Sequence, residues 1–260
     1  MSQDDDFRAD FLRGKVALVT GGTRGIGRAI ALRLARAGPE HVAVGYCSDH
    51  DAARATVAEL RALGVEASSL LADLGRVELI EELFSELRAR CGLLDVFVSN
   101  AARGAFAEAG DLSPRSLTRT LDLNARAFLR GAQLAAEMMR GRGGRIVALS
   151  SLGSTRHAPG YAALGAAKAA LESLARSLAI AYAPLGINVN VVCGGLVDTQ
   201  STRAHPEQER LFRETAARTP SGRVGRPEDL AGLVAFLCSP EADWIRGQTI
   251  VADGGYSLVL

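Results

Sequence analysis

Lysine is almost absent from this sequence: the 30 basic residues include only two lysines, Lys15 and Lys168. Arginine therefore supplies positive charge wherever charge alone is needed, and a lysine kept against this bias is a candidate for a task that arginine cannot perform. Lys168 is of interest for that reason. The alternative, that two lysines remain by chance, has comparable weight on composition alone.

The sequence also lacks paired cysteines, clustered histidines and long apolar runs. Its four cysteines contain no Cys-x2-Cys pair and its four histidines are dispersed, which predicts neither a disulfide framework nor a metal site. No apolar run approaches the roughly 18–20 residues of a membrane span. The stretch Met1–Asp6 is acidic where a signal peptide is basic and then apolar, so we expect a cytoplasmic protein that does not bind membranes.

Charge is balanced along the chain, with 30 basic residues, 29 acidic residues and a formal net charge of +1. The interleaved acids disfavour nucleic-acid binding through the many arginines. Hydrophobic residues make up 48% of the 260 residues, enough for the core of one α/β domain. The sequence predicts one domain over residues 14–260 behind a polar, poorly ordered tail of residues 1–13. Cys193 and Trp244 are interpreted as packing residues.

Strand-length apolar runs alternate with longer segments of helical period, the pattern of βαβ units. The sequence therefore predicts a single-domain Rossmann fold, a doubly wound seven-stranded parallel sheet with helices on both faces. The polar segment 198–223 follows the carboxyl end of a strand and is predicted to fold over a ligand as a lid. The predicted strands are Val16–Thr20, His41–Gly45, Ala67–Leu71, Asp95–Ser99, Arg145–Ser150, Ile187–Cys193 and Thr249–Ala252. The predicted helices are Gly25–Ala37, Asp51–Leu63, Val77–Cys91, Pro114–Arg140, Tyr161–Ala183 and Pro227–Cys238.

A glycine-rich turn, Gly21–Gly27, lies between the first predicted strand and the first helix. Glycines at such a turn let the backbone bend sharply and approach a pyrophosphate, with the helix N-terminus aimed at the charge. The spacing Gly-x3-Gly-x-Gly is looser than the Gly-x-Gly-x2-Gly fingerprint, and an ordinary strand-to-helix turn is the alternative. A second strand on schedule closes a βαβ unit and favours a dinucleotide site.

The end of the second predicted strand indicates which dinucleotide is bound. An NAD-preferring protein usually places an acid there for the ribose hydroxyls, whereas this chain has the stretch Gly45–Ser48. Arg24, inside the glycine turn, is able to pair with a 2′-phosphate. NADPH is therefore favoured as the cofactor over NADH, and the nearby Asp49 is the residue that keeps NADH open.

Tyr161 and Lys168 form the candidate reaction pair. Seven residues apart, they return to nearly the same face of the predicted helix, about 10 Å apart along its axis. A tyrosine hydroxyl donates a proton or a hydrogen bond to oxygen, and a nearby ammonium is expected to lower its pKa. The alternative is a half-buried tyrosine beside a lysine whose stem lies along apolar surface.

These motifs resemble the short-chain dehydrogenase/reductase family over almost the whole chain. The resemblance implies that Asp73 and Leu74 contact adenine and that Gly194–Thr199 holds the nicotinamide carboxamide. It is carried by the glycine turn, Asp73-Leu74, Ser99-Asn100-Ala101-Ala102, Asn124 at the end of Leu121–Asn124, Gly194–Thr199 and Gly247–Gly255. The cofactor contacts predicted from the motifs and the resemblance are Gly21, Thr23, Arg24, Gly25, Ile26, Gly27, Tyr46, Ser48, Asp73, Leu74, Asn100, Ala101, Ala102, Ser150, Tyr161, Lys168, Gly195, Val197 and Thr199.

The chain departs from the usual family spacing Tyr-x3-Lys, which would place tyrosine where this chain has Leu164. Its Tyr-x6-Lys spacing resembles the enoyl-thioester reductase branch. Ketone reduction adds hydride to the carbonyl carbon, whereas enoyl-thioester reduction adds it to the β-carbon, and negative charge then develops on an oxygen further along the conjugated chain. Moving the tyrosine by three residues re-aims its hydroxyl along the substrate.

The predicted function is NADPH-dependent reduction of the C2–C3 double bond of a 2-enoyl thioester carried on ACP or CoA, as in fatty acid or polyketide biosynthesis. Tyr161 would stabilise the enolate and Lys168 would hold the ribose. The resemblance implies a structural and proton-relay role for Asn124. Ser151 matches the family's catalytic serine when counted from Lys168, and a hydrogen-bonding or structural role is equally consistent.

Two other functions stay open at this stage. One is a ketoreductase acting on a 3-ketoacyl thioester or a polyketide carbonyl. The other is an NADP-binding regulatory protein without catalysis, against which the retention of both Tyr161 and Lys168 argues. The resembled family usually packs its fourth and fifth helices across dimer interfaces, so we expect a homotetramer, with close approach at the small-residue stretch Ala162–Ala170.

Overall fold

A computed structural model describes residues 10–203 and 207–259 of the chain. Its seven strands form one sheet in which every neighbouring pair runs parallel. In chain order the strands are β1 (Val16–Thr20), β2 (His41–Tyr46), β3 (Glu66–Leu71), β4 (Val96–Ser99), β5 (Gly144–Ser151), β6 (Ile187–Gly194) and β7 (Thr249–Ala252). Across the sheet the order is β3-β2-β1-β4-β5-β6-β7. The predicted doubly wound Rossmann fold is confirmed, with its switch point between β1 and β4.

Helices cover both faces of this sheet and form two hydrophobic cores. One core joins the sheet to α3, α5 and α6, and the other joins it to α1, α2 and α9. Strands β1 and β6 are buried along their whole length, as expected for a parallel sheet covered on both sides. The described helices are α1 (Gly25–Ala35), α2 (His50–Ala62), α3 (Val77–Cys91), α4 (Pro114–Leu121), α5 (Ala127–Met138), α6 (Ala162–Tyr182), α7 (Gln200–Arg203), α8 (Gln208–Arg218) and α9 (Pro227–Cys238).

The predicted continuous helix Pro114–Arg140 is wrong. Helices α4 and α5 are separated by a π-helical turn at Asp122–Arg126. The side-chain amide of Asn124 donates to the carbonyl of Thr120 at 2.8 Å, and so competes with the regular backbone ladder at this turn. Periodicity cannot reveal such a turn, because the apolar spacing on both sides remains helical.

The prediction of a poorly ordered tail over residues 1–13 is wrong for its last residues. Residues 1–9 lie outside the described residues, but Leu12 is only 3% exposed and donates its N–H to the carbonyl of Ala37 at 3.0 Å. Arg13 forms an antiparallel bridge with Pro39. The interpretation of Trp244 as a packing residue is also wrong, because its side chain is 99% exposed.

The predicted lid segment contains α7 and α8 and follows β6, with residues 204–206 outside the described residues. Its closure over a ligand stays a prediction. Among the helices described, none combines the length and the apolar character needed to cross a membrane. The described residues also contain no group of three or more His, Cys, Asp or Glu side chains placed to hold a metal ion.

Candidate active site

The predicted site residues gather at one end of the sheet, where the parallel strands end. Tyr46, Asn100 and Gly195 end or follow β2, β4 and β6, respectively, while Ser150 and Ser151 end β5. This edge includes the switch point, where open α/β sheets bind their ligands. The fold therefore brings together residues that are separated by more than 100 positions in the sequence.

Asn100 and Thr20 hold the glycine-rich turn. The Asn100 side-chain amide donates to the carbonyls of Thr20 at 3.0 Å and Gly21 at 3.1 Å. In return, the Thr20 hydroxyl accepts from the N–H groups of Asn100 at 3.0 Å and Ala101 at 3.2 Å. Asn100 and Ala101 are thus tied to the turn through their own backbone. Ala102, the next predicted contact, is exposed beside them.

The turn has the shape that a dinucleotide pyrophosphate requires. A Cβ on Gly27 would lie 2.1 Å from the Gly21 carbonyl oxygen and 2.4 Å from Asn100 Nδ2, so only glycine fits. Helix α1 begins at Gly25 with no side-chain cap and no acid in its first turn. Its first N–H groups are available to an anion, and the helix dipole favours negative charge there. Thr23 is buried and Ile26 half-buried within this turn.

Polar side chains lie around the end of β2 and the start of α1. Arg24 is exposed at the start of α1, and Ser48 is exposed after β2. The Tyr46 hydroxyl shares a hydrogen bond of 2.9 Å with His50 Nδ1. Asp49, the acid that kept NADH open, uses its carboxylate to cap α2, accepting from the N–H of Ala52 at 2.9 Å.

Beyond β3, Asp73 and Leu74 form a short turn. The Asp73 carboxylate accepts from the N–H of Gly75 at 3.0 Å, and Leu74 packs against the core. Beyond β6, Val197 is buried and Thr199 bonds to the Thr202 hydroxyl at 3.1 Å. These contacts fix the conformations of the two loops that follow β3 and β6.

Tyr161 is the N-cap residue of α6 and not part of the helix itself. Its ring lies directly over Gly153, where a Cβ would come within 2.4 Å of the tyrosine Cδ1. Phe106 also lies beside Tyr161, and the centroids of the two rings are 6.1 Å apart. The loop carrying Phe106 is fastened here because the Ala107 N–H donates to the Gly160 carbonyl at 2.9 Å.

Burial raises the pKa of Tyr161, and a hydrogen bond with the Ser151 hydroxyl partly opposes this rise. The expectation that the Lys168 ammonium lowers the pKa of Tyr161 is therefore wrong for this structure. Burial has the larger effect, and the stabilising partner is Ser151. The tyrosine consequently stays protonated around neutral pH, which suits a hydrogen-bond donor.

Lys168 is buried on α6, seven residues after Tyr161. Its ammonium donates to the Leu149 carbonyl at 2.7 Å. Burial lowers its pKa from 10.5 to about 8, while electrostatic interactions with Cys193 and Glu172 act in the opposite direction. A lysine has three donors, so its contact with Leu149 leaves donors for a ligand.

Asn124 is buried in the π-helical turn, with only 2% of its surface exposed. Its amide nitrogen donates to the carbonyls of Arg103 at 3.0 Å and Thr120 at 2.8 Å. Its side-chain oxygen, by contrast, has no hydrogen-bond partner among the described residues. A buried acceptor without a partner is costly, so this oxygen is suited to a water or ligand.

Three residues at the site escaped the sequence reasoning. Leu164 was noticed only as a missing tyrosine, but it is a buried side chain lying against Gly104, where an added Cβ would be 2.6 Å from the leucine Cγ. Phe106 has no sequence signal. Glu172 had one, because it stands four residues after Lys168 and hence on the same face of the helix.

The comparisons with known proteins agree with this geometry. A family model described as enoyl-(acyl carrier protein) reductase matches residues 21–257. A 1-cyclohexenylcarbonyl-CoA reductase of Streptomyces collinus is 46% identical over 95% of this chain and 88% of its own length. A hydroxynaphthalene reductase-like protein of Metarhizium robertsii is 36% identical over 94% of this chain and 95% of its own.

A solved structure shares the fold closely. The short-chain dehydrogenase from Burkholderia cenocepacia in complex with NADP has a TM-score of 0.88 and 36% identity, covering 95% of this chain and 99% of that one. Its bound cofactor supports a nicotinamide dinucleotide as the ligand of this fold. The chain belongs to the short-chain dehydrogenase/reductase family of oxidoreductases, within its enoyl-(acyl carrier protein) reductase-like group.

Proposed function

We propose that this enzyme reduces the C2–C3 double bond of a 2-enoyl thioester with NADPH. The observation that carries the proposal is the changed position of the tyrosine at the start of α6. Leu164 fills, with an apolar side chain, the position of the family's usual tyrosine, and the only tyrosine hydroxyl beside Ser151 in the described residues is that of Tyr161. The 46% identical relative, a CoA-thioester reductase by name, supports the same class of substrate.

The residues present fit the cofactor in four places. The side-chain-free backbone at Gly27 and the uncapped start of α1 would take the pyrophosphate. Arg24 would pair with the 2′-phosphate. Asp73 and Leu74 would line the adenine, while Gly195, Val197 and Thr199 would border the nicotinamide. Bound there, NADPH supplies a hydride to the β-carbon of the substrate.

Tyr161 would serve the oxygen of the thioester. When hydride arrives at the β-carbon, the double-bond electrons move toward the carbonyl, and negative charge develops on its oxygen. Because burial raises the pKa of Tyr161, its hydroxyl is protonated and can donate a hydrogen bond to that oxygen. The α-carbon then takes a proton from solvent, and the thioester carbonyl is restored.

Lys168, Ser151 and Asn124 would support this step. The Lys168 ammonium uses one of its three donors on the Leu149 carbonyl. It would donate to the ribose hydroxyls with the donors that remain. Ser151 orients the Tyr161 hydroxyl through their hydrogen bond. The unpartnered side-chain oxygen of Asn124 would hold a water.

Purified protein with NADPH tests the proposal against a panel of thioesters. The panel contains 1-cyclohexenylcarbonyl-CoA, a straight-chain 2-enoyl-CoA, the same enoyl chain on ACP and a 3-ketoacyl-CoA. We expect NADPH oxidation with the enoyl thioesters, and faster with CoA than with ACP. Turnover of the 3-ketoacyl-CoA alone would show a ketoreductase. Tight NADPH binding without any turnover would indicate the regulatory protein.

Tyr161→Phe tests the role of the hydroxyl in the same assay. Removing one donor to a developing oxyanion costs about 100-fold or more in kcat, while NADPH affinity should change by less than about twofold. Tyr182→Phe, at the far end of α6, is the matched control and should behave as wild type. A normal rate for Tyr161→Phe would refute its assignment.

We also propose a homotetramer in which α5 and α6 pack against a second subunit. The small side chains from Ala162 to Ala170 would allow close approach of two α6 helices. Sedimentation of the purified protein measures the assembly directly, and a monomer at micromolar concentration would contradict the expectation.

A further inference from the structure

A buried polar layer lies under the active site, between strands β5 and β6 and helix α6. Ser150 and Cys193 are register partners on the two strands. Lys168 and Glu172 stand one turn apart on the helix, and both are buried. Glu172 is 6% exposed, and its carboxylate accepts from the Ser150 hydroxyl at 2.5 Å.

The carboxylate and the ammonium in this layer are oriented to different partners. Glu172 is bonded to Ser150, while Lys168 donates to the Leu149 carbonyl. No direct ion pair joins Lys168 to Glu172 within the described structure. A direct ion pair would use lysine donors that a ligand needs. A carboxylate that is not bonded to the lysine still stabilises the positive charge of the ammonium and leaves those donors available.

A buried carboxylate is expensive unless an opposite charge compensates for it. The titratable groups that act on Lys168 are Glu172 from its own helix and Cys193 from β6. Asp253, after β7, acts on Cys193 in turn. The Cys193 thiol is neutral, because burial raises its pKa to about 12. Glu172 is therefore the anion that offsets the buried ammonium.

We propose that Glu172 is a positioning residue that keeps Lys168 protonated and free to hold the cofactor ribose, with Ser150 fixing the carboxylate in place. The inference deepens the proposed function, since it depends on Lys168 contacting the cofactor. It assigns a task to a residue pair, Ser150 and Glu172, that hydride transfer itself does not require. Ser150 would then support the lysine through Glu172, and its contact with the cofactor stays a prediction.

The scarcity of lysine makes a direct test possible. Protein labelled with ¹³C and ¹⁵N lysine contains two lysine side-chain signals, and Lys15→Arg identifies which one belongs to Lys168. The Lys168 signal is titrated in wild type and in Glu172→Gln, without cofactor or thioester. Glutamine keeps the volume of the side chain and an acceptor for Ser150, but removes the charge.

We expect the pKa of Lys168 to be lower in Glu172→Gln than in the wild type. Glu172→Asp, which keeps the charge, should restore most of the difference. Glu172→Leu is a second charge-free variant with the same expected result. Glu82→Gln, an exposed acid on α3, is the matched control. Equal titration of Lys168 in wild type and both charge-free variants would overturn the proposal.

Cofactor affinity gives a second readout. At pH 8 we expect NADPH to bind about fivefold more weakly to Glu172→Gln, because a drop of one unit in the lysine pKa from about 8 lowers the protonated fraction from about one half to about one eleventh. The loss should appear in KM for NADPH more than in kcat, and it should shrink at pH 6. A loss that is constant from pH 6 to pH 9 would indicate a purely structural role. Because the NMR titration needs no substrate, failure of enoyl reduction and failure of this inference are separable.

Discussion

The two ends of the sheet each contain a buried acid and one of the two lysines, but they use them differently. At the amino end, Asp95 accepts from Lys15 at 2.9 Å, from Arg142 at 3.3 Å and from the N–H of Val16 at 3.0 Å. At the carboxyl end, Glu172 and Lys168 are not paired directly. Direct pairing satisfies the charges and joins strands, whereas separation leaves a cation ready for a ligand.

This difference explains why composition alone could not separate the roles of the two lysines. Lysine scarcity drew attention to Lys15 and Lys168 alike, yet one closes a structural ion pair and the other lies in the candidate active site. Exposure and partners separate them: Lys15 is partly exposed beside a carboxylate, and Lys168 is fully buried against a backbone carbonyl. Replacing groups at either end should therefore affect different properties.

Lys168→Met should give the largest effect. Without the ammonium, we expect kcat/KM to fall about 100-fold or more, the range typical of losing a positioned catalytic group. Folding stability should also fall, by roughly 3–5 kcal/mol, because the variant leaves the buried Glu172 carboxylate without the ammonium that offsets it. Enzyme assays and urea unfolding measure the two quantities on one preparation. Retained activity would place Lys168 in the same class as Lys15.

The pH dependence should also distinguish the carboxyl end. Burial lowers the pKa of Lys168 from 10.5 to about 8, so the folded protein loses this ammonium as pH rises through about 8. Activity that needs the charge should then fall about tenfold per pH unit. Between about 8 and 10.5 the unfolded chain binds more protons, so the contribution of this group to the free energy of unfolding rises with pH.

Unfolding measured from pH 7 to pH 10 in wild type and Lys168→Met isolates that contribution. The wild type should gain stability relative to the variant as pH rises, while its activity declines. Parallel stability curves for the two proteins would show that the pKa of Lys168 is not lowered by folding.

Arg24→Ala should have an intermediate effect that is confined to one cofactor. If its guanidinium pairs with the 2′-phosphate, NADPH binding weakens about tenfold and NADH binding is unchanged. Fluorescence titration with each dinucleotide measures both affinities. Arg142→Ala, at the amino end, is the control and should leave both unchanged. Equal weakening of NADPH and NADH would remove Arg24 from cofactor selection.

Lys15→Met should have the smallest effect. Asp95 keeps Arg142 and the Val16 N–H as partners, and the lysine is partly exposed, so screening limits the loss to about 1 kcal/mol of unfolding free energy. Activity should stay within about twofold of wild type. A loss of activity well beyond twofold would mean that the two ends of the sheet are coupled.

Much of the fold could be predicted because its signals are local. Strand β1 is an apolar run of the right length, β6 is rich in valine, and the glycine turn between β1 and α1 has a backbone requirement that only glycine meets. The helix through Asn124 could not be predicted correctly, because the π-helical turn arises where one side chain bonds to the carbonyl of Thr120 and to the distant carbonyl of Arg103.

The candidate site divides in the same way. By itself, the sequence determined the family, the shifted position of Tyr161 and the location of Arg24 inside the glycine turn. Each of these is a matter of spacing along the chain. Only the tertiary structure decided the charge states around Tyr161 and Lys168. Burial and partners set those states, and the partners come from β5, β6 and α6, which meet only when the sheet is assembled.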